Sequence, residues 1–376
     1  MRLLVNALSA RRGGILTYTR NLLSSLAERG LDITIAVPDE FADDEMENVR
    51  TFDIIRFSPL HRFAWEQIYW RKFVRDHAPD VLFSSANFGL LNSPVKQILL
   101  LREGGLFDPF YLANMTAVQG VGSALNRYFR RRLMLMSARS ASHIITPTNA
   151  MRDAVALWEP TIQEKCTVNP YGTINDAFRP GQEPRPWRAG GTLKLLYVSV
   201  YYPHKVPNLV CQAVDLLNRR GIQAHATITM SLEEFTDTRG SALDDKILLD
   251  AQERGIVTLG PHKYAHLPQL YRDHDVFVFP SVSETFGHPM AEAMSTGLPV
   301  VASDTPVNHE ICGEAALYFK PFSARELADQ IEELNNAEAL RNRLSAEGRR
   351  RAISRYSWED HVDRLVDTFE AAIAHR

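Results

Sequence analysis

The chain contains 376 residues, of which 45% are hydrophobic and 23% are charged, and its formal net charge is −3. This length exceeds what one hydrophobic core usually serves, so we expect two domains. The nearly balanced charge excludes a chain that binds nucleic acid through an overall positive field, and any basic surface must therefore be local.

The cysteines and the apolar runs indicate where the protein works. Cys166, Cys211 and Cys312 lie far apart without metal-ligand spacing, so we expect neither a disulfide framework nor a zinc site. No stretch reaches the ~18 apolar residues that a membrane-spanning helix needs, and the apolar run at the N-terminus is too short for a signal peptide. The expected location is the cytoplasm, either free or peripheral on the inner face of the plasma membrane.

Short apolar runs alternate with helical patterns in the first half of the chain. Residues 3–7 and 33–37 are typical of strands, and they flank a predicted helix from about residue 15 to residue 29 that Gly30 ends. The alternation continues through the strand-like runs 81–85, 97–101 and 143–148. This order predicts a parallel sheet covered by helices.

The segment 180–191, PGQEPRPWRAGG, interrupts this pattern with three prolines and three glycines, and we interpret it as an interdomain linker. Strand-like runs then resume at 193–200, 224–230, 255–260, 275–281 and 298–303. The predicted organisation is one α/β domain at 1–182 and a second at 192–356. A closing helix at 357–376 follows, for which a return to the first domain is one option.

The loop after the predicted strand 275–281 is the first place to search for a ligand site, because ligands of open parallel sheets bind beyond the carboxyl ends of strands. Pro289 has the fixed φ of a first helical residue, and Gly287 permits a tight turn just before it. The backbone amides at this turn then point out of a helix N-terminus. Such amides favour a phosphate or a diphosphate.

Two glutamates, Glu284 and Glu292, flank this helix start. A carboxylate accepts hydrogen bonds from the paired hydroxyls of a sugar, so the pair predicts a sugar on one side of the diphosphate and a ribose on the other. In the alternative interpretation, Glu292 only complements the helix dipole and Glu284 is a surface residue at a strand end.

These residues resemble a family signature. The retaining glycosyltransferases of family 4, which have the GT-B fold, carry two glutamates separated by seven residues with Gly-x-Pro between them. Glu284, Glu292, Gly287 and Pro289 occupy those positions here. The resemblance extends over nearly the whole second domain, through the segments 262–271, 310–319 and 356–359. It implies two Rossmann-like domains that face each other across a cleft.

The resemblance also implies roles for individual residues. Glu284 would hold hydroxyls of the donor sugar, and Glu292 would hold the nucleotide ribose. His262 and Tyr264 lie in a loop that the family uses around the nucleotide base. The backbone after Glu284 would hold the β-phosphate, which adds to the predicted donor-binding set Thr285, Phe286, Gly287 and His288.

Lys205 lies between the end of the predicted strand 193–200 and the helix after it, where a cation would meet the diphosphate. The family usually places an arginine six residues earlier, and that position is Ser199 here. We therefore expect Lys205 to act alone or with Arg102 or Arg11 of the first domain. In the alternative, Lys205 is an exposed loop lysine.

In the first domain, Gly13 and Gly14 follow the first strand and open a helix, which suits a phosphate but is a weak motif. A tight turn without a ligand is the alternative. Arg102 and Glu103 follow the predicted strand 97–101, where related enzymes often carry His-Asp or Arg-Asn. Glu103 either reshapes the acceptor side or is a structural carboxylate paired with Arg102. The predicted catalytic residues are Glu284, Lys205 and Arg102.

The segment from Asp273 to Asp275 resembles the Asp-x-Asp metal motif of another glycosyltransferase fold. Asp275 starts a predicted strand, however, so it lies at the edge of the sheet opposite the ligand edge. We predict a capping role for it, no metal at the site, and no cofactor other than the nucleotide-sugar donor, which is a substrate.

The predicted helix at 126–139 combines basic and apolar residues, including Arg127, Arg130, Arg131, Arg132, Phe129, Leu133, Leu135 and Met136. A helix of this kind can rest on anionic lipid, as family members that extend lipid-linked glycans do. The alternative is an ordinary helix with an apolar core face and solvated arginines.

The predicted function is that of a retaining glycosyltransferase that moves a hexose, with mannose or a deoxyhexose favoured, to a glycan or polyprenyl-linked glycan in surface polysaccharide or lipopolysaccharide synthesis. A GDP-sugar donor such as GDP-mannose is favoured over a UDP-sugar. The rival hypotheses are a UDP-sugar-dependent transferase, then a nucleotide-sugar epimerase, then a non-catalytic protein that binds sugar nucleotides.

Overall fold

The computed structural model describes residues 1–10, 14–41, 48–54, 56–173, 177–181, 186–236 and 242–374. The chain forms two compact units. The first unit contains Met1–Phe107, Leu125–Pro170 and Glu359–Arg376, and the second contains Asp108–Ala124 and Tyr171–Trp358.

The first unit is built on a parallel sheet of seven strands in the order β3-β2-β1-β4-β5-β6-β7. The strands are β1 (Arg2–Asn6), β2 (Asp32–Pro38), β3 (Val49–Phe52), β4 (Val81–Ser84), β5 (Lys96–Leu100), β6 (His143–Thr146) and β7 (Cys166–Val168). The central strands β1, β4 and β5 are almost entirely buried, as expected where helices pack on both faces of a sheet.

The second unit repeats this plan with a parallel sheet of six strands in the order β10-β9-β8-β11-β12-β13. The strands are β8 (Leu193–Tyr197), β9 (Ala224–Ile228), β10 (Val257–Leu259), β11 (Val276–Phe279), β12 (Val300–Ser303) and β13 (Ala316–Phe319). Two Rossmann-like units confirm the predicted fold class.

The α-helices of the described chain are α1 (Gly14–Ala27), α2 (Pro59–Trp65), α3 (Arg71–His77), α4 (Pro109–Gln119), α5 (Val121–Ser140), α6 (Asn149–Ala156), α7 (Asn208–Arg219), α8 (Glu233–Thr236), α9 (Ala242–Glu253), α10 (Leu267–Arg272), α11 (His288–Ser295), α12 (Pro306–Cys312), α13 (Ala324–Asn336), α14 (Glu338–Arg355) and α15 (Trp358–Ala374). A π-helical turn, Glu66–Trp70, joins α2 to α3. Within these described ranges, no helix is both long enough and apolar enough to cross a membrane.

The units are not contiguous in sequence, and this differs from the predicted boundary at residue 182. Residues 108–124, which we expected in the first domain, group with the second unit, and so does the segment that begins at Tyr171. Glu359–Arg376, the greater part of α15, group with the first unit. The chain therefore passes between the units four times.

Helix α15 is held in the first unit by apolar packing and by a buried histidine. Leu365 and Phe369 are fully buried, and the Phe369 ring lies 5.2 Å from the ring of Phe83 on β4. The imidazole of His361 is also fully buried, with Nε2 3.1 Å from the Tyr18 hydroxyl and Nδ1 2.8 Å from the Pro170 carbonyl oxygen. The last helix of the sequence thus completes the core of the first unit.

We expect Phe369→Ala to lower the free energy of unfolding of the first unit by about 3–5 kcal/mol, because it removes a buried aromatic ring and leaves a cavity beside Phe83. Urea unfolding followed by circular dichroism measures the change. Glu370→Ala, at the next and exposed position of the same helix, is the control. Equal effects of the two substitutions would contradict the packing role of α15.

Candidate functional site

The strand order of the second unit reverses between β8 and β11, since β8 continues to β9 on one side and β11 to β12 on the other. Loops that leave the carboxyl ends of two such strands run in opposite directions and open a crevice between them. The loop after β8 carries Lys205, and the loop after β11 carries Glu284. The topology therefore brings together two residues that are 79 positions apart.

Lys205 and Glu284 form an ion pair in which Lys205 Nζ donates a hydrogen bond to Glu284 Oε1. Both side chains are largely buried, with 14% and 12% of their surfaces exposed. Lys205 is therefore not an exposed loop lysine. Burial alone would raise the pKa of Glu284, but the charge of Lys205 and its hydrogen bond outweigh burial and hold that pKa below the usual value of 4.5. Glu284 is thus ionised at neutral pH.

The backbone fixes the two loops to each other beside this pair. The amide of Val282 donates to the carbonyl oxygen of His204 at 2.9 Å, and the hydroxyl of Tyr197 donates to the carbonyl oxygen of Lys205 at 2.8 Å. These bonds set the directions in which Lys205 and Glu284 leave their loops.

His204 packs behind the ion pair as a neutral ring. It stacks on Tyr202 with ring centres 5.7 Å apart and meets the edge of Tyr111 at 5.6 Å. Burial, and then the charge of Lys205, lower the pKa of His204 to about 4. The His204 ring is therefore uncharged at neutral pH, and it does not compete with Lys205 for Glu284 as a cation.

Helix α11 begins directly after the Glu284 loop, at a turn that only glycine fits. Gly287 has a φ of +85°, and a Cβ there would lie 2.5 Å from Met290 Cε. Pro289 then occupies the first turn of the helix. The amides of Phe286 and Gly287 donate no hydrogen bond to another residue in the described part of the chain. They remain available to an anion at a helix N-terminus.

The side chains near this turn are mostly structural. Phe286 is 2% exposed, and its ring packs against the rings of Tyr171 and Tyr356 at 5.4 and 5.3 Å. His288 lies parallel to Tyr171, and its Nδ1 is 2.8 Å from the hydroxyl of Thr173. Thr285 is half-buried. Among the predicted donor-binding residues, Phe286 therefore has only its backbone to offer.

Glu292 lies in the second turn of α11 and is 5% exposed. Its Oε2 accepts a hydrogen bond of 2.7 Å from the hydroxyl of Tyr271, a fully buried residue of α10. Burial raises the pKa of Glu292 to about 7, against the smaller opposing effect of the Tyr271 hydrogen bond. Unlike Glu284, this carboxyl group changes its charge near neutral pH.

The loop after β10 carries His262, which is exposed, and Tyr264, which is 47% exposed. The Tyr264 ring lies 5.8 Å from the ring of Phe178. Burial, and then the nearby charge of Glu292, raise the pKa of Tyr264.

Ser199 stands where the family usually has an arginine, and it cannot supply the missing charge. Its hydroxyl donates to the carbonyl oxygen of Val200 at 2.9 Å, and its amide donates to Thr229 Oγ1 at 3.0 Å. Ser199 orders the loop after β8 without contributing a cation.

In the first unit, Arg102 follows β5 and its guanidinium lies 5.5 Å from the centre of the Tyr18 ring. Glu103 pairs with Arg130 of α5 at 2.6 Å, so the structural partner of this carboxylate is Arg130 and not Arg102, which was one of the two alternatives. Burial raises the pKa of Glu103 against the effect of Arg130.

The described residues include one member of the predicted glycine pair. Gly14 is the first residue of α1, whereas Gly13 and Arg11 lie outside the described residues.

Asp275 has a structural position at the start of β11. Its carboxylate is 4% exposed and accepts hydrogen bonds from the amides of Lys194 at 2.7 Å and Arg188 at 3.1 Å. Asp273 accepts a hydrogen bond from Gln269 at the end of α10. In the described ranges, no three His, Cys, Asp or Glu side chains are grouped so that they could hold a metal ion.

The sequence predicts no role for three residues that lie at this site. Tyr271 ends the segment 262–271, which was singled out without a role for this residue, and His204 directly precedes Lys205. Asp108, whose Oδ2 accepts a hydrogen bond of 2.7 Å from Ser283 Oγ, comes from a distant segment. The first two could have been found as neighbours of motif residues, whereas no local pattern indicates Asp108.

Two family models match adjoining parts of the chain. Residues 12–173 match the model described as Glycosyltransferase Family 4, and residues 182–351 match the model described as Glycosyl transferases group 1. The first match contains β2 to β7, and the second contains β8 to β13.

Individual proteins and structures show the same likeness. The O-antigen chain mannosyltransferase RfbU of Salmonella typhimurium is 26% identical over 301 residues, which are 77% of this chain and 74% of that protein. The O-antigen chain mannosyltransferase B of Escherichia coli is 28% identical over 180 residues, 46% of this chain and 45% of that protein. Anabaena HepE, solved in complex with UDP and glucose, superposes with a TM-score of 0.77 at 16% identity, over 99% of this chain and 100% of that chain.

We expect Glu292→Gln to stabilise the free protein at pH 8 and to have little effect at pH 5. A carboxyl group with a folded pKa of about 7 and an ordinary value of 4.5 favours folding fully below pH 4.5. That contribution is lost as the pH rises to about 7, and the loss amounts to about 3 kcal/mol at 1.36 kcal/mol per pH unit. Thermal unfolding at both pH values measures the difference.

Glu253→Gln, an exposed position at the end of α9, is the matched control and should show no such pH dependence. If Glu292→Gln changed the melting temperature equally at pH 5 and pH 8, the raised pKa would be refuted.

Proposed function

We propose that this chain is a retaining family-4 glycosyltransferase with the GT-B fold, which transfers a hexose from a nucleotide sugar to a glycan or lipid-linked glycan. One observation carries this proposal. The buried ion pair of Lys205 and Glu284 lies next to the N-terminus of α11, which also holds Glu292. This set offers a cation, open amides and two carboxylates in different protonation environments.

The donor diphosphate binds between Lys205 and the start of α11. Lys205 contributes a full positive charge, and the amides of Phe286 and Gly287 contribute hydrogen-bond donors at the positive end of the helix dipole. Negative charge grows on this diphosphate as the bond to the sugar breaks. Groups already held in place for that charge lower the barrier, because they need little reorganisation during the reaction.

Glu284 binds hydroxyl groups of the donor sugar. Its carboxylate is ionised, and Lys205 occupies only part of its capacity to accept hydrogen bonds. Glu292 accepts hydrogen bonds from the nucleotide ribose, and Tyr264 lines the position of the base. The pKa of Glu292, about 7, makes its ionised form available mainly above neutral pH.

The transfer retains the anomeric configuration. The acceptor hydroxyl attacks the anomeric carbon on the face from which the diphosphate departs, so that a bond from the acceptor oxygen to that carbon replaces the bond to phosphate. The hydroxyl proton goes to a departing phosphate oxygen. With Ser199 in place of the usual arginine, Lys205 supplies the cationic charge of its own unit.

GDP-mannose or a related GDP-deoxyhexose is the proposed donor, and a surface polysaccharide or lipopolysaccharide precursor is the proposed acceptor. Support comes from RfbU and mannosyltransferase B, both O-antigen chain mannosyltransferases. A UDP-sugar is the second candidate, because HepE was solved with UDP and glucose.

We expect GDP-mannose to raise the melting temperature of the protein and UDP-glucose or dTDP-rhamnose to raise it less, since bound ligand stabilises the folded state. Glu284→Gln should lose the response to the nucleotide sugar but keep the response to GDP, while Lys205→Ala should weaken both. Thermal shift followed by calorimetric titration measures these effects.

Glu326→Gln, in the first turn of α13, serves as the control for a changed carboxylate outside the site. If none of the three nucleotide sugars stabilised the wild-type protein, the proposed function would fail. If UDP-glucose stabilised the protein more than GDP-mannose, the donor would be a UDP-sugar.

Helix α5 provides a surface for contact with the membrane. Leu125, Phe129 and Met136 are 56%, 56% and 39% exposed, and their spacing places them along one face together with the exposed Arg132. The neighbouring Arg131 does not belong to this face, since its guanidinium stacks 3.6 Å from the centre of the Trp158 ring. We propose that this apolar and basic face rests on anionic lipid.

We expect Phe129→Ser to reduce co-sedimentation with vesicles that contain phosphatidylglycerol several-fold, because it removes an exposed aromatic ring from the contact face. Ile353→Ser, an exposed apolar position of α14 in the second unit, is the control. Equal sedimentation of wild type and Phe129→Ser, or no preference over pure phosphatidylcholine vesicles, would contradict the membrane role.

A further inference from the structure

Helix α4 occupies an unexpected place, because it belongs to the second unit although it lies in sequence between strands β5 and β6 of the first. Its first turn contacts both loops that carry the Lys205–Glu284 pair. In each loop it touches the residue immediately before the charged one, Ser283 in one case and His204 in the other.

The first contact is a hydrogen bond between Ser283 and Asp108. Ser283 is 5% exposed, and its hydroxyl donates to Asp108 Oδ2 at 2.7 Å. The other carboxylate oxygen, Oδ1, accepts the amide of Phe110 at 2.9 Å and so caps the start of α4. Asp108 therefore uses one oxygen to begin its own helix and the other to hold the residue before Glu284.

The second contact is between two rings. Tyr111 meets His204 edge to face at 5.6 Å, with an angle of 72° between the ring planes. The other neighbour of His204, Tyr202, stacks nearly parallel to it. This arrangement restricts the imidazole, and with it the backbone that leads to Lys205.

A third contact joins the same turn of α4 to the loop after β13, the edge strand of the sheet. The ring of Phe110 stacks on the ring of Phe322, with centres 5.9 Å apart and planes 21° apart. Phe322 follows β13, so α4 spans from the loop after β8 to the loop after β13. A helix bound at three such points restrains the loops that it crosses.

We propose that α4 is a positioning element of the donor site, in which Asp108 and Tyr111 hold the Glu284 and Lys205 loops in the geometry that receives the nucleotide sugar. This inference rests on the proposed function, since it assigns a role in donor binding. Asp108 and Tyr111 are positioning residues that act through Ser283 and His204. Order imposed before binding reduces the entropy lost when the donor arrives.

The decisive variant is Ser283→Ala, because it removes the bond to Asp108 and leaves the cap of α4 intact. We expect calorimetric titration to show about tenfold weaker binding of the nucleotide sugar and less than a twofold change for GDP, since Glu284 is assigned to the sugar and not to the diphosphate. GDP-mannose is the first nucleotide sugar used, and UDP-glucose replaces it if the wild-type protein prefers that donor.

Variants of Asp108 and Tyr111 test whether these residues act on donor binding through Ser283 and His204. The losses caused by Asp108→Ala and Ser283→Ala should be less than additive in a double-mutant cycle, because both remove the bond between them, although Asp108→Ala also removes the cap of α4. Asp108→Asn should restore most of the affinity, since its amide can donate to the Ser283 hydroxyl. Tyr111→Ala should weaken binding of GDP and of the nucleotide sugar together, whereas Tyr111→Phe should change neither.

Asn114→Ala is the control on the same helix, because within the described ranges the Asn114 side chain donates to the Phe110 carbonyl oxygen, at 2.8 Å, and not to either loop. A merely structural role of α4 would lower the melting temperature and leave the ratio of nucleotide-sugar to GDP affinity unchanged. If the wild-type protein binds a donor and Ser283→Ala keeps that ratio, the positioning role is refuted and the proposed function stands. If the wild-type protein binds none of GDP-mannose, UDP-glucose and dTDP-rhamnose, both fail.

Discussion

The arrangement of the second unit depends on the ion pair between Lys205 and Glu284. Removing each charge from water costs several kcal/mol, so the pair persists only because the two groups meet directly and are fixed by surrounding hydrogen bonds. The bond from Val282 to His204 and the bond from Tyr197 to Lys205 hold the two loops in place. The pair therefore fixes the positions of one positive and one negative group at this edge of the sheet.

Two carboxylates of the same chemical type have opposite properties at this site. Glu284 has a cation beside it and stays ionised, whereas among the described residues Glu292 accepts its side-chain hydrogen bond from the uncharged hydroxyl of Tyr271, and burial raises its pKa to about 7. Both are largely buried, so the difference comes from the partner and not from the degree of burial. The second unit thus combines a permanent negative charge with one that depends on pH, within one loop and the helix that follows it.

The sequence predicted what depends on local pattern. Strand runs, the turn at Gly287 and the position of Lys205 at a strand end were sufficient to place Glu284 and Lys205 at the same edge of a parallel sheet. The sequence left open whether Glu103 pairs with Arg102, and its partner in the structure is Arg130, because this choice depends on the packing of α5 and not on sequence distance. Asp108 and Tyr111 left no signal at all, since their roles arise from the passage of α4 into the other unit, a long-range contact without periodicity.

The position of α15 has a consequence for synthesis on the ribosome. Residues 1–170 emerge first, yet the first unit lacks Leu365, Phe369 and the bonds of His361 until the final segment has been translated. Domains usually fold in order from the N-terminus as the chain emerges. Here β8 to β13 of the second unit can form while the nascent first unit still exposes the apolar groove that α15 will fill. The unit that begins first therefore matures last, and a nascent chain released before α15 would be a natural target for chaperones.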